Sequence, residues 1–414
     1  KNSNPTVYIN NRKVHLSADD LTQLLEGSSA NSIKSIEVIT NPSARYDAES
    51  GVVLNIIMSK NLITGYRGTV STNYTQGVFP RYSAGTSHFF KNEDISFNVN
   101  YNYAKDKINR NGDDTINFLD DANDTDQSWR SLTNRNTWSE THNLNANFDY
   151  YISDKHTTGI SLQRTGSDSD RVTDNVTNIT SNGTTEMLVT DNKYDKNWSL
   201  YIVNPYYEYD DEVNKLTLDF NYVNYNSDNE NNLFQVGQSN VAYANQRYFQ
   251  DAKYKIQTYK ADYKRVLGKD FTMSAGLKYS DVDSDSDLQS LVQNASGDFV
   301  NNSNQTNRFL IDENIIAAYS KFNYSVNKWS FSGGLRWEQS KTTGTSQNLN
   351  TSLDRTISKF FPSLSISREI TDEISANIAY SYRIQRPSYE SLNPFVYYYD
   401  PFTFEEGNPT LKPA

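Results

Sequence analysis

The chain of 414 residues carries a formal net charge of -11, has no cysteine and has a mean hydropathy of -0.76. No apolar run approaches the roughly 20 residues of a membrane-crossing helix, and no basic patch invites nucleic acid. A membrane β-barrel stays open, because only every second strand residue meets lipid there. The 30 Tyr, 19 Phe and 5 Trp beside abundant Asn and Ser would supply aromatic girdles and a polar lumen, although an adhesin or sugar-binding all-β surface uses the same mixture. The chain opens at Lys1 with no signal peptide, as expected of a mature, trimmed or partial sequence.

The first 60 or so residues have their own pattern. "TVYINNRKV" (Thr6–Val14) reads as a hairpin turning at Asn10–Asn11. "LSADDLTQLLEG" (Leu16–Gly27) has a helix start at Ser17, acids in the first turn, Leu21, Leu24 and Leu25 on one face, and Gly27 as a stop. Short, densely apolar strands follow at Ile33–Thr40 and Val52–Met58. A small α+β unit over residues 1–62 is expected, and about 60 residues is marginal for an independent core.

From Gly65 the pattern changes to long alternating strands. "DISFNVNYNY" (Asp94–Tyr103) sets Ile95, Phe97, Val99, Tyr101 and Tyr103 against Ser96, Asn98, Asn100 and Asn102, which gives a strand one greasy and one wet face. Strands around Leu216–Tyr222, Phe271–Tyr279, Trp329–Trp337 and Ile374–Tyr382 alternate likewise, with every charge on the wet face. The strand at Tyr254–Leu267 is blurred, with Arg265 on the face of Tyr259 and Tyr263, and Pro362 weakens another. Tight polar links fall at Lys91–Asp94, Ser153–Lys155, Asp210–Asn214, Gly268–Asp270, Val326–Lys328 and Glu369–Asp372. They recur about every 60 residues, with the last step shorter, as in a repeat of hairpins. Between them lie polar stretches read as long loops: Lys105–Glu140, Gly166–Lys196, Asn226–Asp251, Asp283–Asp312 and Lys341–Arg355. Short turns at one end and long loops at the other is the asymmetry of an outer-membrane barrel, and it turns the greasy faces toward lipid. The count is about 13 antiparallel strands, an odd number where bacterial single-chain barrels are even, so the barrel over residues 63–414 is expected to be incomplete.

"IKSIEVITNPSARYDAESGVVLNIIMSK" (Ile33–Lys60) resembles the end of the plug domain of TonB-dependent outer-membrane receptors. The likeness rests on Ile36, Glu37, Val38, Ile39, Pro42, Ser43, Ala44, Arg45, Tyr46, Gly51, Asn55, Ile56 and Ile57. "NPSARYDAE" is similar to the Bacteroidetes-type outer-membrane β-barrel branch, as is "GNPTLKP" (Gly407–Pro413), whose final Glu is Ala414 here. The resemblance implies an all-β transmembrane β-barrel of roughly 22 strands in full, preceded by the C-terminal part of a small α+β plug domain. It also implies a Gram-negative outer-membrane location, coupling to the TonB complex, and import of a ligand such as a siderophore, glycan or peptide. The beginning of the plug and a TonB box are not visible in this sequence. The alternative of another class is a non-transporting barrel serving surface assembly, adhesion or signalling.

No residue is read as catalytic. His15, His88, His142 and His156 are scattered without ligand spacing, so no metal site is expected. "DVDSDSD" (Asp281–Asp287) lacks the Gly and Glu of a calcium loop and reads as an acidic loop. No cofactor motif occurs. Arg45 reads as a structural salt link to a lumen acid. "FVYYYDPFTF" (Phe395–Phe404), placed at the extracellular end, offers Tyr397, Tyr398, Tyr399 and Phe402 for stacking on a ligand, against the plainer reading of loop packing.

Overall fold

A computed structural model describes residues 6–9, 12–13, 33–49, 51–58, 64–119, 125–237, 245–348, 352–398 and 404–414. The helix expected at Leu16–Gly27 lies outside the described residues. Strands β1 (Thr6–Ile9), β2 (Arg12–Lys13), β3 (Ile33–Ile39) and β4 (Val53–Met58) form a small sheet in the order β2-β1-β4-β3. β1 and β2 pair antiparallel through Tyr8–Lys13 and Ile9–Arg12, which is the expected hairpin, and β4 lies parallel to β1 at the centre. Central placement explains its dense apolar spelling: Val53 and Ile56 are buried.

The large sheet is a meander. Its strands are β5 (Gly65–Gln76), β6 (Pro80–Lys91), β7 (Ile95–Leu119), β8 (Thr125–Ser153), β9 (His156–Ser181), β10 (Thr184–Asp210), β11 (Asn214–Gly237), β12 (Gln246–Leu267), β13 (Phe271–Gln293), β14 (Phe299–Asn301), β15 (Asn307–Val326), β16 (Trp329–Ser346), β17 (Ser352–Glu369) and β18 (Ser375–Ser381). Each pairs antiparallel with its chain neighbours, except that the short β14 sits beside β13 while β13 pairs onward with β15. Thirteen strands lie on the path and β14 makes a 14-stranded sheet. After β18 come a one-turn helix α1 (Tyr389–Leu392) and a small pair, β19 (Val396–Tyr398) with β20 (Phe404–Glu406).

The tight ends of the meander are built by local polar chemistry. Asn92 Oδ1 accepts from the amides of Asp94 at 3.0 Å and Ile95 at 2.7 Å, and Asp211 Oδ1 accepts from those of Val213 at 3.1 Å and Asn214 at 2.5 Å. These are side-chain-closed turns of the Asx kind.

The opposite ends differ from the sequence expectation. The stretches read as loops are mostly strand: β7 and β8 run 25 and 29 residues, against about 9–11 needed to cross a bilayer. Gly166–Lys196 is a continuous hairpin closed by Asn182 and Gly183, both at positive φ, the two-residue turn that matches strand twist. Asp281–Asp287 likewise lies within β13 and not in a loop. Backbone ladders do not need apolar side chains. The polar strands add side-chain ladders of their own, such as Asn109 to Asn136 at 3.1 Å and Asn134 to Asn111 at 2.8 Å. Pro362 is also carried inside a strand, opposite Leu335, at the place where pairing with β18 stops.

The burial pattern settles which face is dry. In β7, Phe97 and Tyr101 are 40% and 38% exposed, whereas Asn98, Asn100 and Asn102 are 7%, 6% and 8% exposed. The greasy face looks outward and the wet face inward, as the barrel reading requires. Among the described residues no helix is long and apolar enough to cross a membrane; paired strands with their backbone groups satisfied are the other structure that can cross one.

Candidate functional site

The link between β3 and β4 projects residues 42–49 against the inward face of the large sheet. The turn is held by the Tyr46 amide donating to the Ser43 carbonyl at 3.0 Å, and Tyr46 meets Tyr8 edge-on at 5.3 Å. Burial pushes the Tyr46 phenol up from its ordinary pKa, with Arg45 opposing and Glu37 adding to the rise. Ala44 and Ala48 are buried, and small side chains are required there: a Cβ on Gly334 of β16 would stand 2.9 Å from that of Ala44. Behind the link, the fully buried Asn55 donates to Glu37 at 2.8 Å.

Two ion clusters join this link to the sheet. In the first, Asp262 of β12 receives Arg45 at 3.3 Å, Lys260 at 2.7 Å and the Tyr319 hydroxyl at 2.5 Å. Register explains the geometry. Asp262, Gly276 and Tyr319 stand opposite one another on β12, β13 and β15, and a Cβ on Gly276 would meet the Tyr319 ring at 2.4 Å. Glycine at the middle position lets the phenol reach the carboxylate. In the second cluster, Asp47 bonds Lys278 at 2.8 Å and Arg336 at 3.4 Å. Arg336 also bonds Glu338 at 2.6 Å, and Arg386 spans Glu338 at 2.5 Å and Glu49 at 3.5 Å. Lys260 and Lys278 stand directly opposite across β12 and β13, a repulsive arrangement made tolerable by Asp262 on one and Asp47 on the other.

The chain after β18 turns inward as well. The Arg383 guanidinium donates to the Pro42 carbonyl, and the Ile384 amide donates to the Ala48 carbonyl at 3.2 Å. Tyr389 donates to Glu313 at 2.6 Å, and burial raises its pKa well above the ordinary phenol range. Leu392 and Phe395 are buried against Tyr248, Leu288, Phe309 and Ile311 of the inward face. Residues 408–414 fold back on this strap, with Gln385 and Ala414 exchanging backbone hydrogen bonds at 2.9 and 3.0 Å. The lumen side of the sheet is therefore lined by two inward segments, 42–49 and 383–395.

The residues anticipated from sequence fall out unevenly. Arg45 pairs with Asp262, Pro42 and Tyr46 are part of the packed link, Asn55 lies behind it on β4, and Gly51 is at an exposed bend. Tyr399 and Phe402, and the side chains of Tyr397 and Tyr398, lie outside the described residues, as does His15. His88, His142 and His156 each bond a tyrosine hydroxyl at 2.6 to 2.7 Å, and no group of His, Cys, Asp or Glu among the described residues is arranged to hold a metal. Asp47, Glu49, Lys278, Arg336, Glu338 and Arg386 were not singled out from sequence. Charges two apart on a wet strand face, Lys260 with Asp262 and Arg336 with Glu338, were the available signal.

Among solved structures, the chain is similar to the copper transporter OprC, with 7% identity over 91% of this chain and 71% of that one and a TM-score of 0.36. It is similar to the ferric citrate transporter FecA in the unliganded form, with 10% identity over 91% and 68% and a TM-score of 0.35. It is also similar to the siderophore receptor PirA from Pseudomonas aeruginosa, with 12% identity over 92% and 86% and a TM-score of 0.28. No curated protein matches. The model of the outer membrane protein beta-barrel family matches residues 207–414, half of the chain, and with outward lipid-facing strands around a polar interior this chain belongs to that family and to the outer membrane.

Proposed function

We propose that the protein is a TonB-dependent receptor that imports a ligand across the outer membrane. In this reading residues 1–62 are the end of a plug domain, and residues 63–414 belong to the barrel that the plug closes. The observation that carries the reading is the charged seam between residues 42–49 and the inward faces of β12, β13 and β16. Ion pairs between a small inserted sheet and a barrel wall hold a closure in place, and they are separable without breaking a hydrophobic core. Hydration of the parted charges offsets much of their lost attraction, which makes such a seam easier to open than an apolar one. The strap at 383–395 bears on the same seam through Arg386, so ligand captured by the loops and movement of the link are mechanically joined. A siderophore, a glycan or a peptide fits the class.

The test is uptake by cells carrying the full-length protein, screened with siderophores, glycans and peptides, with and without a functional TonB. Ligand uptake that disappears without TonB is the expected result. Tight capture of a surface partner with no uptake in either strain replaces the reading with a barrel for assembly, adhesion or signalling.

A further inference from the structure

Beyond the lipid-facing band the outward faces of β8 to β11 are largely polar. Glu140, Asp168, Asn197 and Asp228 stand in one such row across the four strands. Further out the polarity breaks. Leu132, Val176, Val189 and Val236 stand side by side on β8, β9, β10 and β11. Leu132 is 45% and Val236 68% exposed, and the exposed Met187 and Phe234 adjoin the row on β10 and β11. Lipid does not account for this stripe. Leu132 lies twelve residues beyond the outward Leu144, about 40 Å along the strand at roughly 3.3 Å per residue. The other face of the same wall is already covered: Thr177, Leu188 and Gln235 are buried there.

A charge pattern borders the stripe. One rung nearer the membrane, Asp174 and Asp191 stand directly opposite each other, both exposed. Like charges in that position repel. The cations on this stretch of the face, Arg130 and Lys193, are held by Asp113 at 2.8 Å and Asp195 at 3.3 Å. No ion pair among the described residues reaches Asp174 or Asp191.

We propose that the stripe docks a basic amphipathic helix of another polypeptide, laid across the four strands. Strands lie about 4.8 Å apart, and a helix repeats its apolar face about every 5.4 Å. Successive turns therefore each place an apolar side chain on Leu132, Val176, Val189 and Val236. Lysine or arginine along the membrane-side edge of that helix meets Asp174 and Asp191 and relieves their repulsion. A second copy of this chain would bring the same two aspartates to the contact, so a partner of opposite charge is the one that fits. The net charge of -11 favours its approach. The inference does not depend on import.

Fluorescence anisotropy of a labelled synthetic helix, with a leucine stripe flanked by lysines, tests the idea. It is measured on the full-length protein in phosphatidylcholine nanodiscs, with empty nanodiscs subtracted. One comparison peptide has the same residues in scrambled order, and the other has glutamate in place of each lysine. Saturable binding of the first peptide alone is expected. Asp174→Asn with Asp191→Asn should weaken it about tenfold at low salt and flatten its salt dependence, the scale of two exposed ion pairs. Val236→Ser, at a position open to solvent, should weaken it about fivefold by removing one apolar contact. Asp228→Asn, nearer the lipid, should leave it unchanged. Equal binding by wild type and the double aspartate variant, or by the scrambled peptide, would overturn the proposal. So would a concentration-dependent dimer in sedimentation that Val236→Ser abolishes, which would give the stripe to a second copy.

Discussion

Strand β13 contains two regions with opposite polarity. Near its tight turn the outward residues are Met273, Leu277 and Tyr279, and the inward ones are Ser274, Gly276 and Lys278. Beyond Tyr279 the outward residues are Asp281, Asp283, Asp285 and Asp287, while Val282 and Leu288 point inward and are buried. Leu277 is 63% exposed and Leu288 is 0% exposed, eleven residues apart on one strand. β15 inverts in the same way, from outward Ile316 to outward Asp312 and Arg308, with Phe309 and Ile311 inside. The period of two never changes; the medium outside does. Where lipid ends, the outward face has no use for apolar side chains. The inner face meets the folded strap, with Leu392 and Phe395, and becomes the dry one.

The sharpest break of this comparison lies inside the first region. Glu338 is almost wholly buried and holds both Arg336 and Arg386, so Glu338→Ala leaves two buried cations short of a partner. A loss of about 3–5 kcal/mol is expected. By contrast, Glu140→Ala on the outward face of the second region removes an exposed pair with Lys105 and should cost no more than about 1 kcal/mol. Urea unfolding of the protein in lipid vesicles measures both, and comparable losses would mean that the seam is solvated. The next largest effect tests the boundary itself. Leu277→Arg should cost about 2–4 kcal/mol by placing a charge in lipid, whereas Asp283→Arg, three rungs further along and outside the lipid, should stay within about 0.5 kcal/mol. Equal costs would put the lipid edge in the wrong place.

Much of the first region was legible because lipid imposes a strict rule on one face. Alternations such as Phe97–Tyr101 and Met273–Tyr279 identify strands, and the Asx turns at Asn92 and Asp211 mark their ends. The second region obeys no such rule. Asn109, Asn111, Asn134 and Asn136 look like loop by composition, yet they sit on paired strands whose stability comes from backbone ladders and amide-to-amide bonds. Asn182–Gly183 was the missed local sign of a hairpin. The ion seam was harder still. Asp47 and Arg336 are 289 positions apart, and no local pattern pairs them; only the register that brings Gly276 between Asp262 and Tyr319, and Gly334 against Ala44, makes the site.

The smallest effect concerns the tight end, where the first region starts. Asp211 has its carboxyl held down to about 2, first by the Asn214 amide, then by the Tyr209 hydroxyl and the Asn214 side chain. A carboxylate free in the unfolded chain titrates near about 3.9. The folded value is the lower one, so the turn contributes stability that is fully present above about pH 4 and is lost as pH falls toward about 2. Asp211→Asn keeps an oxygen for the Asn214 amide and removes the titration. Its stability should therefore fall less steeply than that of the wild type between about pH 4 and 2. Carboxyl chemical shifts followed across the same range give the titration directly. A midpoint at the free-chain value would show that the turn opens in solution, and the contrast between a closed end and an extended one would then lose its firmest local anchor.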